Sequence, residues 1–244
     1  MFDQSSQGKI NVMSHLSTPS KMPCKTFDLS IYISGCAARC MFGIKGICYV
    51  MVNPKEYLQN RINKLQRNHD LLESKYFTSV MINELMEDGN RWFRFFSSGD
   101  FPNVEAIQKI MEVCESLKDG ERKVNFWIPT SRDDLLTIYL TTGNTIPDNV
   151  CIRYSSPNPT LPQLPFQREL FIKNGVTYSA TTLDKSKATC HASQERGGKC
   201  KTCRDCWDRA HQLTVYLIHG SSAIKRAKDF VKNMLHFGEG TIVP

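Results

Sequence analysis

The sequence predicts an α/β protein, either a partial (β/α) barrel or an open, mostly parallel sheet, with cysteine-rich loops near both ends. Three observations point there. Short apolar segments alternate with amphipathic helical stretches. The strand segments are too continuously apolar for a sheet with one wet face. Each strand also runs into small or polar residues, at the end where such folds keep their ligands.

The elements follow in order. Residues 1–22 are polar and Ser-rich and read as a flexible leader; 23–244 reads as one α/β domain that includes a cysteine-rich, metal-binding segment at 190–208. The stretch 27–34 (FDLSIYIS) is rich in β-formers and predicts the first strand, running into Gly35 and Cys36. Pro54 opens a helical stretch to about residue 73, and a second helix spans about 78–87. The segment 91–96 (RWFRFF) predicts strand two, ending in Ser97, Ser98, Gly99 and Asp100. Asn103 is a good N-cap for a helix with Val104, Ile107, Ile110, Met111, Cys114 and Leu117 on one face. Strand three is 124–128, and Ser131 to Asp134 resembles a capping box for the helix beyond it. Strand four is 150–154, followed by a loop carrying Pro157, Pro159, Pro162 and Pro165. Strands at 176–180 and 214–218 and a helix over 224–235 complete the pattern.

Length and composition set bounds. A chain of 244 residues with 41% hydrophobic and 23% charged residues can bury a core without disulfides. The first residues lack an apolar signal core, and no run approaches the roughly 18 apolar residues of a membrane span. The expectation is a cytoplasmic protein without a membrane partner, in a compartment where grouped cysteines bind metal or do chemistry. The charge of +7, from 31 basic and 24 acidic residues, is compatible with nucleic acid on a basic surface and equally with a solvated face.

The chemistry lies in the cysteines. Cys24, Cys36, Cys40 and Cys48 form one tetrad, and Cys190, Cys200, Cys203 and Cys206 another. The two-residue gaps of the second resemble the tight loop of bacterial ferredoxins and favour a [4Fe–4S] cluster over zinc. In the first, Cys36-x3-Cys40-x7-Cys48 follows a strand. That resembles the radical S-adenosylmethionine (SAM) enzymes, whose usual motif is C-x3-C-x2-C; here the second gap is wider. By that resemblance the three cysteines would hold a cluster with one open iron. Ser98, Gly99 and Asp100 would contact SAM, Asp100 would be the candidate catalytic residue, and Arg132 would bind an anionic group. Cys24 decides whether that cluster is open or closed. Cys114 and Cys151 read as core residues.

The order Lys21-Met22-Pro23-Cys24, Cys48-Tyr49, Phe93-Arg94, Ser98-Gly99-Asp100, 126–130 (FWIPT) and Cys190…Cys200-x2-Cys203-Arg204-x-Cys206-Trp207-Asp208 resembles the phage-encoded gene product 88 family over residues 21–219. The resemblance implies a phage or prophage protein, acting in the host cytoplasm, with conspicuous cysteines and no assigned activity. Two readings follow. One is an iron–sulfur, radical-SAM-like enzyme with a site cluster and an auxiliary cluster, acting on a small-molecule or macromolecular substrate. The other is a non-enzymatic module, braced by four-cysteine zinc or cluster sites, that binds nucleic acid or a host protein.

Overall fold

The computed structural model describes residues 14–40, 48–52, 58–156, 163–194, 198–218, 224–225 and 227–229. Six strands, β1 Lys25–Phe27, β2 Trp92–Phe95, β3 Asn125–Thr130, β4 Val150–Tyr154, β5 Thr177–Thr182 and β6 Leu213–Leu217, form one sheet in sequence order. Every neighbouring pair is parallel, and β1 and β6 are the edges, so the sheet is open. Between β1 and β2 lie α1 Cys36–Arg39, α2 Tyr49–Val52, α3 Gln59–Glu73 and α4 Phe77–Asp88. The next three connections carry α5 Val104–Ser116, α6 Asp133–Thr141 and α7 Pro165–Lys173, and the last carries α8 His191–Gln194.

One face of the sheet carries the main core. Phe27, Phe93, Phe95, Phe126, Ile128, Ile152 and Tyr154 alternate along their strands toward it. They meet Leu72, Met81 and Leu85 of α3 and α4, Ile107 and Ile110 of α5, Leu136 of α6 and Phe171 of α7. Each such side chain contributes about 1.5–3 kcal/mol by leaving water. Asn103 caps α5, its Oδ1 accepting from the Ala106 N–H at 2.8 Å. Sequential strand order with the helices of four connections on one face is what repeated crossovers of one hand produce.

The last connection, 183–212, breaks this rule. Its described residues cross the opposite face as a strap. Arg153 alternates away from Ile152 and Tyr154, and its guanidinium donates to the carbonyls of Asp205 (2.5 Å), Asp208 (3.1 Å) and Cys206 (3.2 Å). The Trp207 indole donates to the Phe93 carbonyl at 2.7 Å and packs edge-on to Trp92 and Trp127. The sheet still advances from β5 to β6 in the same direction, so this crossover has the opposite hand to the other four. Such connections are rare in parallel sheets.

Several sequence expectations need correction. The first strand shrinks from 27–34 to three residues, because Asp28 turns inward to bind the 97–98 turn and residues 31–34 form turns. The proline segment holds a helix, α7, with Pro165 at its first position, where a missing N–H costs nothing. The capping box at 131–134 does not form: Arg132 is the N-cap residue of α6 without a side-chain cap, and Ser131 bonds Asp100 instead. The leader expected over 1–22 is anchored from residue 14: Ser14 and His15 bond Glu84, Leu16 is buried, and Ser17 bridges Thr26. Most of the helix expected over 224–235 lies outside the described residues. Among those described, no helix is long and apolar enough to cross a membrane.

Candidate functional site

The ten cysteines are all thiols rather than disulfides, and the structure sorts them differently from the sequence. Cys36, Cys40 and Cys48 gather at the rim formed by the C-terminal ends of the strands. Burial pushes the Cys36 thiol well above its ordinary value; Asp100, Cys40 and Cys48 push it further, and Arg132 pulls it back. The segment 31–37 is seated on the rim: the Ala37 N–H donates to Ile31 O at 2.9 Å, and the Asp100 N–H donates to Ser34 Oγ at 3.2 Å. Arg39, in the last turn of α1, pairs with Asp133 (3.5 Å) and Asp134 (3.1 Å) at the start of α6.

The remaining rim residues are tightly engaged. Asp100 is buried; its Oδ1 accepts from Thr130 Oγ1 (2.6 Å) and the Phe101 N–H (2.8 Å), and its Oδ2 from the Ser131 N–H (2.7 Å) and Oγ (2.8 Å). Burial raises its carboxyl above the usual range and these donors oppose the rise. Gly99 has φ 82°, and a Cβ there would lie 2.7 Å from the Leu29 carbonyl oxygen. Ser98 Oγ donates to that same oxygen at 3.1 Å and accepts from Arg61. Arg132 spans the rim, bidentate to Asp134 at 3.0 and 3.0 Å and donating to Phe101 O at 2.9 Å. The candidate site residues Asp100, Arg132, Cys36, Cys40 and Cys48 are therefore neighbours, while Ser98 and Gly99 face Leu29.

Sequence reasoning missed Asp28. It is buried at the end of β1 and accepts from the Ser97 N–H and Oγ, both 2.7 Å, and from Arg61 at 3.2 Å. Asp28 joins β1 to the turn after β2, as Asp100 joins β2 to the turn after β3. The signal available was an Asp inside a hydrophobic stretch, which has to find donors when buried.

Cys24 lies at the other end of β1 and joins the strap. Burial raises its thiol to about 12, and Arg94, Cys200 and Arg204 are among the charges acting on it. Burial also raises Cys200, which feels Cys190, Cys203, Arg94 and Arg204. It takes Cys206 to about 12 against the pull of the Tyr216 hydroxyl, 3.3 Å away, with Arg153, Cys190 and Arg94 nearby. The Cys200 N–H donates to Lys21 O at 2.9 Å, and the Cys203 N–H to Cys200 O at 2.9 Å, across a turn in which Lys201 has φ 45°. Cys190 is tied to β6 through its N–H to Val215 O at 3.0 Å. So three thiols stand at the rim and five, Cys24, Cys190, Cys200, Cys203 and Cys206, on the strap-covered side. Cys114 is buried in the α5 core, and Cys151 is buried on β4 at 3.5 Å from Thr177 Oγ1.

Two features mark the five-thiol region. The guanidiniums of Arg94, Arg153 and Arg204 all reach it, and among the described residues none forms an ion pair with a carboxylate. Arg94 stacks 4.1 Å from the Trp127 ring centroid with its Nε buried and without a hydrogen-bond partner, as is that of Arg204. Half-buried guanidiniums with an unpartnered Nε favour an anion beside them. As the side chains stand, no three or more His, Cys, Asp or Glu among the described residues converge closely enough to hold an ion. The thiols are neighbours, not a closed ligand set.

Among the described residues, Phe96 (φ 59°) and Lys201 (φ 45°) are the two non-glycine residues with positive φ. One lies in the rim turn and the other between Cys200 and Cys203. Strain of this sort concentrates where backbone is held for a purpose.

A family model described as gene product 88 matches residues 3–209, a span that includes all ten cysteines. No curated protein and no solved structure matches the chain.

Proposed function

The chain belongs to the gene product 88 family, and from that premise we propose that it is a phage or prophage iron–sulfur protein with two thiolate centres and a radical-SAM-like layout. Cys36, Cys40 and Cys48 would hold an open centre at the rim. Cys190, Cys200, Cys203 and Cys206 would hold an auxiliary centre on the strap-covered side. The observation that carries the reading is the separation of the cysteines: with Cys24 at the far end of β1, the rim set has three thiols and leaves a cluster one position for a small molecule. Sequential strand order with the helices on one face supports the partial-barrel layout, and the rim is where such folds bind ligands. Asp100 and Arg132 would fix the strand-end turns beneath the open position. Ser98 and Gly99 would set the approach of Leu29 to that turn. The rim thiols become ligands by giving up their protons, and Arg132 favours the resulting charge.

Anaerobic reconstitution with iron and sulfide tests this. About eight iron and eight sulfide per chain are expected, falling to about half in the Cys36→Ser/Cys40→Ser/Cys48→Ser variant. With SAM and dithionite, the reconstituted protein should yield deoxyadenosine above a cluster-free control. About two zinc and no iron would replace this reading with a zinc-braced binding module. No deoxyadenosine would remove the SAM component.

A further inference from the structure

We propose that Cys24 is a ligand of the strap's metal centre, so that metal binding there staples the N-terminal segment to the strap across the strap-covered face. This rests on the reading that the strap thiols take a metal or cluster. By sequence distance Cys24 belongs with Cys36, twelve residues on. In the fold β1 separates them, and Cys24 packs with Trp207 of the strap.

Three independent contacts put Cys24 in the strap's neighbourhood. The Cys200 N–H is hydrogen-bonded to Lys21 O at 2.9 Å, which fixes the chain three residues before Cys24 against the strap. Cys24 packs in one cluster with Trp127 and Trp207, with Cys206 and Met22 at its edge. Arg94 bonds Met22 Sδ at 3.3 Å and stacks 4.1 Å from the Trp127 ring of that same cluster, and it is a nearby charge for Cys24, Cys200 and Cys206. Arg94 is thus a shared cation among thiols from both ends of the chain. Its buried Nε has no partner among the described residues.

The charge pattern identifies the occupant's class. Three guanidiniums without carboxylates suit a centre whose thiolates outnumber the metal's own charge, as four thiolates around a divalent ion or a four-iron cluster do. Neutral thiols offer those cations no counter-charge. Five thiols stand for four places, and the inference gives Cys24 one of them.

The test uses the full chain with the three rim cysteines replaced by serine, titrated anaerobically with cobalt(II). The parent is expected to bind one cobalt with a strong thiolate charge-transfer band. Cys24→Ser is expected to lose about tenfold or more in affinity, with about a quarter less band intensity per bound cobalt where one of four thiolates is gone. Cys24→Ala should behave alike, and far-UV circular dichroism without metal checks both folds. Alkylation of the parent in mild denaturant, read by mass mapping, needs no variant: cobalt should protect Cys24 as it protects Cys200. Unchanged affinity and band in both variants, or equal labelling of Cys24 with and without cobalt, overturns the inference and leaves the strap site standing. A parent that binds no cobalt overturns both.

Discussion

The helix-covered face of the sheet is built from phenylalanine and aliphatic side chains, whereas the strap-covered face carries indoles, guanidiniums and thiols. The first is close-packed by four helical crossovers and needs no other support. The second is held by directed contacts: Arg153 to three strap carbonyls and Trp207 to Phe93 O. The difference teaches that fold and chemistry are divided between the faces. Burial of apolar surface specifies the sheet, and the chain then spends an unusual left-over connection on placing cysteines. The rim lies between the two, fixed by the buried carboxylates of Asp28 and Asp100.

The sharpest way to break this comparison is one truncation on each face. Phe95→Ala on the helix side should cost about 3–5 kcal/mol in urea denaturation, with or without metal. Arg153→Met strips donors from the Asp205, Cys206 and Asp208 carbonyls and should cost about 3 kcal/mol without metal. Its cost should shrink when metal anchors the strap. An equal metal response in both variants would dissolve the distinction.

At the rim, Asp100→Asn should cost about 2–3 kcal/mol. Either orientation of the amide sets an NH2 against a backbone donor, the Phe101 N–H or the Ser131 N–H. Thermal unfolding measures the loss, and a change below half a kilocalorie would show that the rim carboxylate is dispensable.

The smallest effect concerns the N-terminal anchor. Burial raises the Glu84 carboxyl, but His15 and Ser14 outweigh it and bring it from 4.5 to about 2. A depressed carboxyl contributes stability above its unfolded value and loses it as pH falls through the folded one. The anchor should therefore weaken between about pH 4.5 and 2, by about 1–2 kcal/mol after screening. The stability of Glu84→Gln should be flatter than the parent's across that window.

Much of the helix-covered face was legible in the sequence. The 3.6-residue pattern from Val104 to Leu117 and the cap at Asn103 give α5, and the strand at 150–154 follows from its composition. The strand at 27–34 misled because Asp28 looks like an outward residue until its donors from the 97–98 turn are seen. The helix at Pro165 was hidden by reading proline as a breaker. For the candidate site, sequence proximity grouped Cys24 with Cys36, which only β1 could separate. The strap's position was not legible because the handedness rule points to the other face.

The strap is synthesised after nearly everything it covers. Trp207 meets Phe93 across 114 residues of chain, so on the ribosome five strands and their helices emerge before the last four cysteines do. The indole-lined face of the sheet stands open during that interval. Any metal proposed for the strap thiols can therefore bind only after those five strands have emerged.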